Sequence, residues 1–262
     1  MSTPETTHEV VVVGSGFAGL GQLLALRRAG ITDVVLLEKA DALGGTWRDN
    51  TCPGCACDIP SHMYSLSDVP NPDWSPYRRA PSDSSPQPEI RDYLERLADD
   101  HDLRRHVRFG QEMTGATWDE EDRTWAVHTR GGTTWRARFL VFGTGALHLP
   151  HVPALPGAET FAGPTFHSAR WDHDVDLRGR RVAVIGTGAS AIQFVPEIAG
   201  VAAEVQLYQR TPAWVLPRTT GRSRSAGGAS SPGTRPRTAP TGPRCTPRSS
   251  PAPSPSTPTR RR

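Results

Sequence analysis

Short apolar runs alternate along the chain with amphipathic stretches, and the period of each run indicates the element it becomes. Residues 9–13 are almost wholly apolar and stop at Gly14. Such a run suits a strand buried on both faces of a parallel sheet. Residues 20–28 then repeat Leu20, Leu23, Leu24 and Leu26 at helical spacing, and Gly30 stops the helix. Residues 33–37 return as a second buried strand that ends at Glu38, which completes a βαβ unit. A second unit begins at residue 181, with a strand over 182–185, a helix over 191–198 stopped by Gly200, and a strand over 205–208. Between the units, residues 49–88 are rich in Pro, Ser, Asp and Cys and read as a long irregular excursion. Residues 89–100 put Ile90, Tyr93, Leu94 and Leu97 on one helical face. Residues 107–118, 124–129 and 134–142 alternate like antiparallel strands, and Pro150, Pro153 and Pro156 mark a connection.

Both βαβ units carry a glycine-rich turn between strand and helix. The first is Gly14-Ser-Gly16-Phe-Ala-Gly19 and the second Gly186-Thr187-Gly188-Ala189-Ser190-Ala191. A glycine permits the tight turn, the next lets the backbone approach a pyrophosphate, and the third lets helix and strand pack closely. The helix N-terminus adds free N–H groups and partial positive charge. Strand before and helix after are the context that gives such a motif meaning. Gly14 to Glu38 spans 24 residues, as does Gly186 to Arg210, so Glu38 and Arg210 read as equivalent places of opposite charge. A carboxylate there accepts from ribose hydroxyls and repels a 2′-phosphate, whereas an arginine attracts that phosphate. Thr211 adds a hydroxyl donor. These features predict an α/β fold with two Rossmann-like dinucleotide-binding domains, one for FAD and one for NADPH.

Composition changes the picture at one end. The last 44 residues, 219–262, hold nine Arg and nine Pro, with no Asp, Glu or Lys and no Val, Ile, Leu, Met, Phe, Trp or Tyr. Their nine positive charges exceed the total of +3, so the remaining chain is acidic and the basic pI is no nucleic-acid signal. This tail cannot bury enough apolar surface to offset its ordering entropy and should be disordered. Its abrupt onset, with 29 Arg against the single Lys39, suggests an out-of-frame C-terminus on a truncated protein. A natural Pro/Arg-rich tail is the alternative. No apolar run approaches the roughly 20 residues of a membrane span. Four Cys, three of them within residues 52–57, form no disulfide framework, so a reducing, cytoplasmic setting fits.

Several segments resemble the flavin-dependent class B monooxygenases: Gly44-Gly45-Thr46-Trp47, residues 57–64 (CDIPSHMY), residues 85–89 (SPQPE) and residues 209–214 (QRTPAW). Residues 161–172, FAGPTFHSARWD, resemble the Baeyer–Villiger fingerprint FxGxxxHxxxW(P/D), through Phe161, Gly163, His167, Trp171 and Asp172. The resemblance implies an FAD domain over 8–150 and a linker with the first βαβ of an inserted NADPH domain over 151–218. It implies that NADPH reduces FAD and that one oxygen atom of O₂ goes next to a ketone carbonyl or onto sulfur or nitrogen. Thr46, Trp47 and Tyr64 would line the flavin, and Asp58 would stand near flavin and nicotinamide as the catalytic candidate. His167 and Trp171 would serve at a domain joint, in a conformational role. The fold would be incomplete at its C-terminus, and the arginine that the family sets beside the flavin has no counterpart. The alternatives are a non-catalytic flavoprotein fragment and a flavin disulfide-type NADPH oxidoreductase using Cys52 and Cys55. In that second family the first redox cysteine follows directly on GGT, where this chain has Trp47. Zinc binding by Cys52, Cys55, Cys57 and His62 is disfavoured by crowded spacing, so no metal is expected. The expected partners are a small substrate and O₂, with no specific nucleic acid and no membrane.

Overall fold

A computed structural model describes residues 5–58, 64–71, 86–212 and 214. The expected disordered tail over 219–262 and the candidate ligand His62 lie outside the described residues.

The strands and helices follow the apolar pattern closely. In chain order they are β1 (Glu5–Val13), α1 (Phe17–Arg28), β2 (Val34–Leu37), α2 (Thr46–Asp49) and α3 (Pro86–Asp100). Then come β3 (Val107–Arg108), β4 (Met113–Asp119), β5 (Thr124–Thr129), β6 (Thr134–Phe142), β7 (Arg181–Ile185), α4 (Ala189–Ala199) and β8 (Glu204–Tyr208). The larger sheet runs β3-β2-β1-β6-β5-β4. Its β3, β2, β1 and β6 pair in parallel, while β4, β5 and β6 form an antiparallel meander. The smaller sheet is the parallel pair β7-β8.

The unbroken apolar runs of β1 and β2 are explained by two cores, one on each face. Val10, Val12, Val34 and Leu36 pack with Leu20, Leu23 and Leu24 of α1 and with Ile90, Leu94 and Leu97 of α3. Val11, Val13, Val35 and Leu37 pack on the other side with Val127, Trp135 and Ala137 of the meander. Alternate residues of a strand point to opposite faces, so a strand covered on both sides must be apolar throughout.

The run 107–118, read above as one strand, is two. Val107 and Arg108 pair with β2 at one edge of the sheet, and Met113–Asp119 pairs with β5 at the other edge. Gly110 breaks the run at φ +68°, a left-handed conformation open to glycine. In the excursion over 49–88 the described residues carry only the end of α2, the bridge Leu66–Val69 and the start of α3. Tyr93 of α3 pins that bridge: its hydroxyl donates to the Val69 carbonyl at 2.8 Å and accepts from the Leu66 N–H at 3.0 Å.

Candidate functional site

The two glycine turns share one geometry. Gly14 and Gly186 both take left-handed φ, +97° and +106°. The Gly14 N–H donates to the Leu37 carbonyl at 2.7 Å, and the Gly186 N–H to the Tyr208 carbonyl at 2.9 Å. Gly16 and Gly188 are the N-caps of α1 and α4, with extended backbones and no side-chain cap on either helix. The first N–H groups of both helices are thus left without a side-chain partner, which is the arrangement that receives an anion.

Each glycine of the first turn has its own reason. A Cβ on Gly19 would sit 1.7 Å from the Gly14 carbonyl oxygen, so close packing of helix and strand forbids it. A Cβ on Gly16 would meet nothing nearer than the Gly45 Cα at 3.8 Å. A side chain on Gly16 would thus make only ordinary van der Waals contact with Gly45, so packing within the protein does not require glycine there. The Gly44-Gly45 turn closes over Gly16: the Gly44 N–H donates to the Ser15 carbonyl at 3.1 Å, and Gly45 has φ +52°. In the second turn, Gly186 and Gly188 face open space.

Glu38 follows β2 as expected, and the protein itself already engages its carboxylate. Glu38 is 4% exposed and takes four donors from the protein. Ser15 gives its N–H at 2.8 Å and its hydroxyl at 2.6 Å, Ala40 its N–H at 3.0 Å, and Arg48 a guanidinium N–H at 3.1 Å. Burial pushes the carboxyl up, but the Ser15 hydroxyl, the two backbone N–H groups and the Arg48 charge outweigh it and hold Glu38 below the usual glutamate range. Arg48 is held in turn by Asp49 at 2.8 Å and by the Ala42 carbonyl at 2.7 Å. Ser15 and Arg48 escaped the sequence reading, although Ser15 lies inside the turn motif and Arg48 directly follows the GGTW segment.

The strand register corrects the equivalence of Glu38 and Arg210. Val13 pairs with Leu37 and Ile185 pairs with Tyr208, so the residue matching Glu38 is Gln209, and Arg210 stands one place further on. The Gln209 amide donates to the Thr187 hydroxyl at 3.1 Å, as the Ser15 hydroxyl donates to Glu38 in the first unit. Equal residue counts misled because α4 has 11 residues where α1 has 12, which brings the second strand of the second unit in one residue earlier. Arg210 and Thr211 are exposed, and Arg210 pairs with no acidic side chain among the described residues.

Aromatic side chains gather beside the first turn. The Trp47 indole N–H donates to the Tyr64 hydroxyl at 3.1 Å, and Phe17 of α1 packs edge-on to Tyr64 at 4.9 Å. The Trp47 carbonyl accepts from the buried Gln87 amide. Burial, partly offset by the Trp47 hydrogen bond, raises the Tyr64 phenol pKa, so it stays neutral at pH 7. Thr46 opens α2, directly after Gly45, and Asp58 is exposed at the end of the cysteine loop.

The fingerprint splits into two parts. Phe161 is exposed and stacks over Gly163, where a Cβ would meet its ring at 2.7 Å. His167 caps the 3-10 turn Ser168–Arg170 by accepting the Ala169 N–H on Nδ1 at 3.0 Å. Trp171 packs against Phe166 and against Phe194 of α4, each at 5.2 Å between ring centres. Asp172 accepts the Asp174 N–H at 3.0 Å, a local turn bond. Cys52, Cys55 and Cys57 are buried, reduced thiols in the same cluster as Phe194.

The family model described as pyridine nucleotide-disulphide oxidoreductase matches residues 11–223. A Baeyer–Villiger monooxygenase of Streptomyces coelicolor is 54% identical over 83% of this chain and 41% of its own length. One of Pseudomonas aeruginosa is 47% identical over 80% of this chain and 39% of its own. Among solved structures, a steroid monooxygenase bound to NADP is 42% identical, with TM-score 0.71, over 81% of this chain and 40% of that one. A cyclohexanone monooxygenase is 37% identical, with TM-score 0.72, over 82% and 40%. The chain thus spans about two fifths of the length of the curated relatives it matches. On this match the chain belongs to the pyridine nucleotide-disulphide oxidoreductase family, and the relatives to which it is similar are Baeyer–Villiger monooxygenases.

Proposed function

We propose that this chain is the nucleotide-binding part of a flavin monooxygenase that takes electrons from NADPH and inserts one atom of O₂ next to a ketone carbonyl or onto sulfur or nitrogen. The carrying observation is the pair of matched turns with unlike residues after their second strands. The first unit has a carboxylate there, and the second has the neutral Gln209 followed by the exposed Arg210. A 2′-phosphate meets no carboxylate at that place in the second unit and finds a permanent cation beside it.

In this reading Gly14, Gly16, Gly19 and the N-terminus of α1 hold the FAD pyrophosphate, and Glu38 holds the ribose. A ribose hydroxyl on Glu38 replaces the longest of its four bonds, the one from Arg48, which keeps Asp49 and Ala42. Gly45, Thr46, Trp47 and Tyr64 form one wall of the flavin site, an aromatic wall that excludes water. Gly186, Thr187, Gly188, Ala189 and Ser190 hold the NADPH pyrophosphate, and Arg210 and Thr211 its 2′-phosphate. Bound FAD supplies hydride acceptance and the activation of O₂, while these residues bind and orient it. Asp58, exposed at the loop end, is assigned the catalytic role near flavin and nicotinamide in this reading. Phe161, Gly163, His167, Trp171 and Asp172 serve the joint between the units. The cytoplasmic setting belongs to the same proposal and is supported by three reduced thiols. No helix among the described residues is long and apolar enough to cross a membrane.

The test is the purified chain after incubation with FAD. A yellow protein absorbing at about 370–450 nm that oxidises NADPH faster with a ketone or thioether present supports the reading. A colourless protein that retains no FAD after desalting overturns it.

A further inference from the structure

We propose that Gln193 is a positioning residue that ties the helix carrying the second glycine turn to the loop carrying Asp58, and so couples occupancy of the two nucleotide sites. The inference rests on the functional reading above and extends it to a residue with no signal in the sequence.

Gln193 lies one turn into α4, and its carboxamide grips a single peptide unit of the cysteine loop. Its Nε2 donates to the Ala56 carbonyl at 2.7 Å, and its Oε1 accepts the Ala56 N–H at 3.2 Å. A carboxamide carries one donor end and one acceptor end, so it pairs with a peptide as a neighbouring strand would. The loop also touches the helix backbone. Gly54 has φ +70°, and a Cβ there would stand 2.8 Å from the Gln193 carbonyl oxygen. Cys52, Cys55 and Cys57 on the loop, Phe194 on α4 and the flanking Trp171 close an apolar cluster around the grip. The Thr51 hydroxyl and the His173 ring, 2.8 Å apart, fasten the other end of the loop to the segment after the fingerprint.

Two residues beyond Ala56 stands Asp58, and three residues before Gln193 stands Ser190, at the turn assigned to the NADPH pyrophosphate. A ligand that fixes the first turn of α4 fixes Gln193, and Gln193 fixes the peptide that leads to the flavin side. Ordering one site lowers the cost of ordering the other, and linkage makes the effect reciprocal.

Amide exchange in the nucleotide-free protein reads the grip. The Ala56 amide should be protected in the wild type and exchange about five- to tenfold faster in Gln193→Leu, the value of one lost hydrogen bond. Titration of FAD, with and without NADP⁺, reads the coupling. NADP⁺ should tighten FAD by about fivefold in the wild type and perturb the flavin absorption band. In Gln193→Leu both effects should vanish, while FAD binding measured alone stays within about twofold. Gln193→Glu is the second variant: it keeps the side-chain length and the bond from the Ala56 N–H, but sets a carboxylate against the Ala56 carbonyl, and should also lose the coupling. Full coupling in either soluble variant, or an unprotected Ala56 amide in the wild type, overturns the proposal. Binding of both nucleotides with no mutual effect overturns the coupling and leaves the functional reading standing. Binding of neither overturns the functional reading and the coupling with it, and the exchange result alone then decides the grip.

Discussion

Glu38→Ala should destabilise the protein before any nucleotide is added. A residue that only met a ribose could be removed from the empty protein at little cost. Here the substitution strips acceptors from the Ser15 N–H and hydroxyl, the Ala40 N–H and Arg48. The Glu38 and Arg48 side chains are 5% and 12% exposed, so water cannot replace them freely. Removing one partner of a buried pair costs about 3–5 kcal/mol, and a hydrogen bond to a charged group contributes about 1.5–3 kcal/mol. Arg48 keeps Asp49 and the Ala42 carbonyl, which puts the loss near the lower bound, about 3 kcal/mol. For a fold of this size that corresponds to a fall in Tm of roughly 6–12 °C. Glu38→Gln should not rescue it, because the amide NH₂ must face either the Ser15 or the Ala40 N–H. The pH dependence has a definite sign. The folded-state pKa lies below the usual value, so between the two the unfolded chain binds more protons. The stability from Glu38 is therefore present above the ordinary glutamate pKa, about 4.3, and is lost as pH falls through the folded value. Thermal and urea unfolding of FAD-free wild type and variant, at pH 7 and across the acid range, is the assay. Unfolding free energies within about 0.5 kcal/mol of each other at pH 7 would refute the latch and return Glu38 to a purely ligand-facing role.

Gly16→Val should fold and fail to retain FAD, since its backbone is extended, a Cβ meets only an ordinary contact with Gly45, and the branched side chain stands at the helix N-terminus assigned to the pyrophosphate; flavin content after gel filtration reads this. Gly19→Ala should instead fail to fold, because its Cβ overlaps the Gly14 carbonyl oxygen, and circular dichroism separates the two outcomes. Arg210→Ala should raise the NADPH Kd by about 10- to 150-fold and leave NADH nearly unchanged, as measured by titration; equal losses would mean that Arg210 does not read the phosphate. Phe194→Ala should cost about 3 kcal/mol in urea unfolding by opening a cavity between Trp171 and the buried thiols, and an unchanged midpoint would deny the joint its packing role.

Much of this fold is legible in the residues because it is local. The unbroken Val run of β1, the leucines of α1 and the break at Gly14 each report a nearest-neighbour constraint. A buried strand must be apolar on both faces, a helix needs one apolar stripe, and a left-handed turn needs glycine. The same constraints written twice revealed two dinucleotide-type turns, and the twelve-residue fingerprint narrowed the branch of the family. What the pattern could not carry is which distant segments meet. Alternation in 107–118 looks the same whether the strand pairs with β2 or with β5, and only the assembled sheet divided it between its two edges. Residue counting matched Glu38 with Arg210, but pairing of β7 with β8 set the frame and put Gln209 there. Glu38 announced itself as a carboxylate at the right offset, while its partners Ser15 and Arg48 became visible only when the Gly44-Gly45 turn folded over the first glycine turn. Gln193 had no signal at all, because a glutamine on a helix acquires meaning only from the peptide it meets, and Ala56 is 137 residues away. Periodicity records what a residue's own element demands of it; a hydrogen bond between distant segments depends on the packing of every element between them, and that is decided only in three dimensions.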